Sequence, residues 1–412
     1  MRGIRCRRLV TCDPERATAN DPLGVVEDGA VVFDAGRILF AGPQMDAPPE
    51  IVLEDCGEHV ITPGLVDAHT HAAWAGSRHD EYALRMSGAS YTAIAQSGGG
   101  IQSTQRAVAA IAESDLAREL GARLARMAAL GVTTVEVKSG YGLVPEEEKK
   151  QLRAIAEARS FEGLPHVVPT LLALHALPDS AKANRDHYVL RMATELVPEA
   201  HANGWAEFVD AYVDAHAFRV DEARLLGETA VGLGLGVRLH VGQFEDVGGA
   251  ELAAELGAHS ADHLEHVSDA GIAALARADV AAVLLPIASF TLGQKPPPVA
   301  ALRAAGVRMV VASDANPGTA PSESLPFAMA LAVRLYGLSP AEAILGATRH
   351  AAASLARDPE APARGILRPG AHADLVVWDL PHETALIQPW GTSKAREVIR
   401  AGRVIASGVR PR

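Results

Sequence analysis

Eight short runs rich in Val, Ile and Leu recur through the middle of the chain, at 61–67, 132–138, 166–173, 206–213, 237–241, 260–264, 281–285 and 309–313. Stretches with helical periodicity separate them, among them 115–130, 146–161, 221–233 and 249–256. Near-continuous apolar strands alternating with helices imply a parallel sheet covered on its outer face. Eight such units across 61–354 fit an α/β protein of the (β/α)8 TIM-barrel type. An open doubly wound sheet uses the same alternation, but no G-x-G-x-x-G follows the first run, which disfavours it.

The two ends have a different texture. Apolar runs at 25–26, 31–33 and 37–41 are cut by Asp28-Gly29, Asp34-Ala35-Gly36 and Gly42-Pro43. Turn residues at that spacing suggest hairpins. Residues 373–379 and 397–405 read the same way. The expected organisation is a small discontinuous β-sandwich from 1–60 and 355–412, flanking a barrel over 61–354.

With 412 residues, 48% of them hydrophobic, the chain can bury a large core. The net charge is −12 and no basic block is present. That balance gives no support for nucleic-acid binding, and an anionic substrate would need a local positive site. Cys6, Cys12 and Cys56 include no Cys-x-x-Cys pair and are too few for a disulfide framework. No run approaches the ~20 apolar residues of a membrane span, and the N-terminus lacks the apolar run of a signal peptide. A cytoplasmic protein without membrane or nucleic-acid partners is expected.

A barrel of this kind carries its chemistry where the strands end. The first run ends in Asp67-Ala68-His69-Thr70-His71, and an extended backbone turns His69 and His71 to one face. The fifth run ends at His240, the sixth contains His263, and Asp314 closes the eighth. One buried His is usually a satisfied core residue. Four gathered at three strand ends, with an Asp at another, suggest a divalent ion, zinc or iron before magnesium or calcium. Such an ion makes hydroxide available at neutral pH, and Asp314 can carry a proton to a leaving nitrogen. Hydrolysis of an amide or amidine, or deamination, follows.

The segment Pro63-Gly64-Leu65-Val66-Asp67-Ala68-His69-Thr70-His71 resembles the opening signature of the amidohydrolase superfamily. Further segments narrow the resemblance to its imidazolonepropionase family. They are 75–78 (AGSR), 97–101 (SGGGI), 133–143 (TTVEVKSGYGL), 248–252 (GGAEL), 260–264 (SADHL) and 313–318 (SDANPG). The resemblance implies one divalent ion on His69, His71, His240 and Asp314, with Asp314, His263 and Gln243 catalytic. Arg78, Tyr91, Tyr141, His175, Asn316 and Gly318 match substrate-contacting positions. It further implies a homodimer and a small-molecule substrate, 4-imidazolone-5-propanoate, opened to N-formimino-L-glutamate in histidine degradation.

Elementary chemistry agrees with parts of this. The Arg78 fork suits a carboxylate, although Asp80 and Glu81 offer it a plain ion pair. Tyr141 can stack on a ring or simply pack on the rim, and His175 can be an uninvolved rim residue. Gly98–Gly100 can bring backbone amides near an anion or serve only as a turn. Lys138 reads as a salt-bridged structural residue, and Asp262 and Glu265 as supporting or packing groups. Residues 210–216 lack the bridging lysine of two-metal members, so one ion is expected. Departures from the family pattern are Gly242, 214–217 (DAHA) with its extra His216, and Ala288. A deaminase would need neither Arg78 nor the triple glycine, and a non-catalytic scaffold would be expected to have lost ligands.

Overall fold

The computed structural model describes residues 1–88, 99–356, 363–388 and 390–408. Its strands are β1 (Arg2–Val10), β2 (Val25–Asp34), β3 (Arg37–Pro43), β4 (Leu53–Asp55), β5 (Val60–Pro63), β6 (Leu65–Asp67), β7 (Val132–Lys138), β8 (His166–Leu174), β9 (Phe208–Val213), β10 (Gly236–Val241), β11 (Ser260–His263), β12 (Ala281–Leu284), β13 (Met309–Val311), β14 (Leu375–Trp378), β15 (Ala395–Arg400) and β16 (Arg403–Ser407). Strands β6 to β13 pair in sequence order as one eight-stranded sheet. Every ladder in it is parallel, which is the expected α/β barrel. The termini build the other sheet, in the order β16-β15-β14-β5-β1-β2-β3, with β4 also against β1.

The barrel closes through side chains and short bridges. The Asp67 carboxylate accepts the Ser313 N–H at 3.0 Å and the Ser313 hydroxyl at 2.5 Å. Above it, Asp314 N–H donates to the His69 carbonyl at 3.0 Å, and His71 N–H to the Ala315 carbonyl at 3.1 Å. Below it, Val66 N–H donates to the Ala347 carbonyl at 2.8 Å.

Period-two alternation sorts the strand residues into two faces. Val135, Val137, Val209, Ala211, Leu239, Val241 and Leu284 belong to the main core under the helices. Val66, Val168, Phe208, Val283 and Val310 form a separate buried cluster. On the parity opposite to the main core, the strands also carry Glu136, Lys138, Asp210, Arg238 and Asp262, all 0% exposed. The histidines come next. The barrel is thus filled in layers: apolar, then charged, then metal-ligating in character.

The apolar run 61–67 divides between two sheets. β5 pairs with β1 and β14 in the terminal sheet, and β6 pairs with β7 in the barrel. Gly64 is the joint, where a Cβ would stand 2.1 Å from the Thr133 hydroxyl. Periodicity cannot register this division, because both halves are equally apolar. Trp378 fastens the joint by donating its indole N–H to the Thr62 hydroxyl at 2.8 Å. Gly64→Ala should therefore lower stability by about 1–3 kcal/mol, the usual range for overpacking. It would appear as a lower urea midpoint; an unchanged midpoint would show that the joint relaxes freely.

Candidate metal centre and substrate cleft

The three imidazoles reach their positions by different routes. His69 and His71 follow β6, two residues apart, and His240 is the penultimate residue of β10. Carboxylates behind them hold two of the rings: Asp262 lies 2.6 Å from His69 Nδ1 and Asp210 lies 3.0 Å from His240 Nδ1. Such contacts fix ring orientation and tautomer, leaving Nε2 as the donor atom. The Nε2 atoms of His71 and His240 are 3.3 Å apart. Asp314 Oδ1 is 3.5 Å from His69 Nε2 and 3.4 Å from His71 Nε2.

Tetrahedral ligands at about 2.0–2.1 Å from an ion stand about 3.3–3.4 Å from each other, so these spacings suit a divalent cation. Burial first, and the nearby Lys138 ammonium with it, holds the three imidazoles neutral, well below the usual histidine range. Neutrality is what a metal ligand requires. His69 Nε2 is buried without a hydrogen-bond partner among the described residues. An atom so placed costs ~1–3 kcal/mol if nothing satisfies it. The donor set fits a divalent metal.

His263 and Asp314 take unusual backbones. Their φ angles are +80° and +55°, and Leu264 follows at +70°. Non-glycine residues held in this region cost of order 1–3 kcal/mol and cluster at functional sites. Burial opposes charge on His263, yet Glu265, 3.7 Å away, and Asp314 raise its pKa above the usual range. Burial likewise pushes the Asp314 carboxyl up to about 7, against the pull of His263. Glu265 is itself held by the Ser289 hydroxyl at 2.6 Å.

A cleft opens over these groups, with His71, Tyr141, His175, His240, Gln243, His263 and Asp314 on its walls together with Arg78 and Asn316. Arg78 is buried and pairs through Nε with Glu81 at 2.9 Å. Gly318 makes room for it, since a Cβ there would stand 2.1 Å from Arg78 Nη1. Glu81 also accepts the Gly100 N–H at 3.0 Å, tying the glycine segment to the arginine. Asn316 spends its amide on its own loop: its oxygen accepts the N–H groups of Gly318 at 2.8 Å and Thr319 at 2.7 Å, and its nitrogen donates to the Asp314 carbonyl. His175 Nδ1 donates to the Gly140 carbonyl at 2.7 Å, and its ring stacks on His71 with centroids 5.1 Å apart. Tyr141 lies against both rings.

Two expected positions, Tyr91 and Gly98, fall outside the described residues. His216 is exposed and lies away from the cleft wall. Gly242 has φ +61°, a backbone that accounts for glycine there. Sequence reasoning missed Tyr212, Ile101, Phe244 and Thr319, which also line the cleft. The signal for Tyr212 was its parity with Asp210 on β9; its hydroxyl donates to Gln243 Oε1 at 2.7 Å.

A family model described as Amidohydrolase family matches residues 60–406. Imidazolonepropionase of Rhizorhabdus wittichii is 44% identical over 93% of this chain and 96% of its own. That of Paracoccus denitrificans is 40% identical over 98% and 100%. The chain belongs to the imidazolonepropionase family of amidohydrolases. Solved structures agree on the fold. A zinc-bound adenosine deaminase from Xanthomonas campestris superposes with a TM-score of 0.71 at 21% identity, covering 98% of this chain and 92% of that one. Escherichia coli guanine deaminase gives 0.73 at 17%, with 99% of each chain covered.

Members of this family are hydrolases, and the histidine group offers the chain a place for the metal. The protein should take up about one equivalent of divalent ion per chain, measured by elemental analysis after dialysis. His240→Ala should retain well under half of that. Equal retention by parent and variant would place the ion elsewhere.

Proposed function

We propose that the chain hydrolyses 4-imidazolone-5-propanoate to N-formimino-L-glutamate. Water oxygen adds to the ring carbonyl carbon, and the bond from that carbon to the adjacent ring nitrogen breaks. The carbonyl becomes the new carboxylate, and the freed nitrogen remains in the formimino group. His69, His71, His240 and Asp314 would hold a divalent ion, zinc or iron by ligand chemistry, which would supply Lewis acidity and lower the pKa of water from ~16 toward ~7.

The chain's own groups do the rest. Asp314 takes the proton from the attacking water and delivers it to the leaving nitrogen. His263 donates to the developing oxyanion. Gln243, held by Tyr212, orients the ring, and Tyr141 and His175 give it a flat aromatic surface. Arg78 binds the propionate through the guanidinium face that Glu81 leaves open, with the Gly318 loop around it. Tyr91 belongs to the same reading as a substrate contact. A homodimer, as the family resemblance implies, and a cytoplasmic location complete it. No helix among the described residues is long and apolar enough to cross a membrane.

The observation that carries this reading is the cleft itself, which is lined by a neutral histidine cluster, by Asp314 and by a buried arginine, Arg78. A deaminase acting on an uncharged heterocycle has no use for that arginine. The test follows loss of imidazolone ultraviolet absorbance, with the substrate generated by urocanase under anaerobic conditions. Asp314→Asn should lower kcat by about 10²–10⁴-fold, the range for a lost general acid–base. Arg78→Met should raise KM by ~10–100-fold, the worth of a charge-assisted pair, with a smaller change in kcat. Absence of any acceleration by the metal-loaded parent would sink the proposal.

A further inference from the structure

Directly beneath the three imidazoles lies buried charge that the proposed reaction leaves unused. Lys138 is its hub. Nζ stands 2.9 Å from Glu136 Oε1, 2.8 Å from Asp210 Oδ2 and 3.9 Å from Asp262 Oδ2, and all four side chains are 0% exposed.

Each carboxylate has a second grip, on the histidine set. Glu136 Oε2 accepts the backbone N–H of Thr70 at 3.1 Å, between His69 and His71. Asp210 lies 3.0 Å from His240 Nδ1 and accepts that residue's N–H at 3.3 Å. Asp262 lies 2.6 Å from His69 Nδ1. Arg238 is the other cation of the layer, 3.8 Å from Asp262. Its Nη atoms donate to the carbonyls of Ala68 at 2.8 Å and Ser354 at 3.0 Å. Lys138 alone therefore reaches all three carboxylates.

We propose that Lys138 is a positioning residue for the metal centre. By fixing Glu136, Asp210 and Asp262 together, it sets the aim of His69 and His240 and the backbone that spaces His69 from His71. The inference rests on the reading that these histidines hold the ion. Lysine suits the task chemically, because a compact ammonium with three donors can sit among three carboxylates where a planar guanidinium fork cannot. The competing role is charge balance. Glu136, Asp210 and Asp262 against Lys138 and Arg238 leave one net negative charge beneath a divalent cation.

Two full-length variants separate the roles. Lys138→Met leaves two net negative charges. Lys138→Met combined with Glu136→Gln restores one, and glutamine can still accept from Thr70. Parent and variants are stripped of metal and loaded with cobalt(II). Folding is checked by circular dichroism and melting, affinity by chelator competition, and ligand geometry by the visible d–d spectrum. Positioning predicts that both folded variants bind cobalt ~10–100-fold more weakly, the usual cost of losing a group that orients ligands, with an altered d–d band. The double variant carries the test if Lys138→Met alone does not fold. Parental affinity and spectrum in the double variant would reduce Lys138 to charge balance and overturn the proposal, as would unchanged binding in Lys138→Met. If the parent itself takes up no cobalt, the metal-site reading falls, and this inference with it. Uptake by the parent with unaltered variants removes only the role of Lys138.

Discussion

Imidazole nitrogens and a carboxylate oxygen facing one another at 3.3–3.5 Å form an arrangement that a dry protein interior resists. The atoms are buried, the rings are held neutral, and His69 Nε2 has no hydrogen-bond partner among the described residues. Polar atoms in that condition are unfavourable unless something satisfies them. A divalent cation would satisfy these atoms, and the surrounding structure holds them facing one another. Parallel strands bring their ends to one mouth. The layer of buried charge stops the rings from turning away, and the apolar cluster below it excludes water from the other end.

Much of this was legible from residue order. The alternation of apolar runs with helical segments gave the barrel, and the ends of runs one, five and eight gave the histidine and aspartate set. What stayed hidden has physical causes. The division of the first run at Gly64 is invisible to periodicity because both halves are buried. The charge layer could be read in part: Lys138 looked salt-bridged, but its reach to carboxylates on β7, β9 and β11 depends on neighbours far away in sequence. Tyr212 was passed over because a lone tyrosine in an apolar strand reads as core. No local pattern announces positive φ at His263 or Asp314, since neither is a glycine.

Those two backbones bear on how the site is held. A residue forced into the left-handed region has fewer ways to rotate away than one in a broad basin. The two groups assigned here to proton transfer and oxyanion contact are both of this kind. Asn316 contributes to the same end, because its side chain is used within the loop that follows Asp314. This rigidity contrasts with Arg78, whose one ion-pair partner among the described residues is Glu81 and whose place depends on the absence of a side chain at Gly318.

The joint at Gly64 carries one more implication, for the order in which the molecule is completed. β5 leads almost directly into the strand that delivers His69 and His71, and its antiparallel neighbour is β14. The indole that fastens it sits 316 positions away, at Trp378. On the ribosome, the segment bearing the first two ligands therefore emerges well before the partner that fastens it, 316 positions later. Long-range closure of this sort is slow, so a nascent barrel with all eight of its strands already synthesised still lacks the edge that holds its first strand in line.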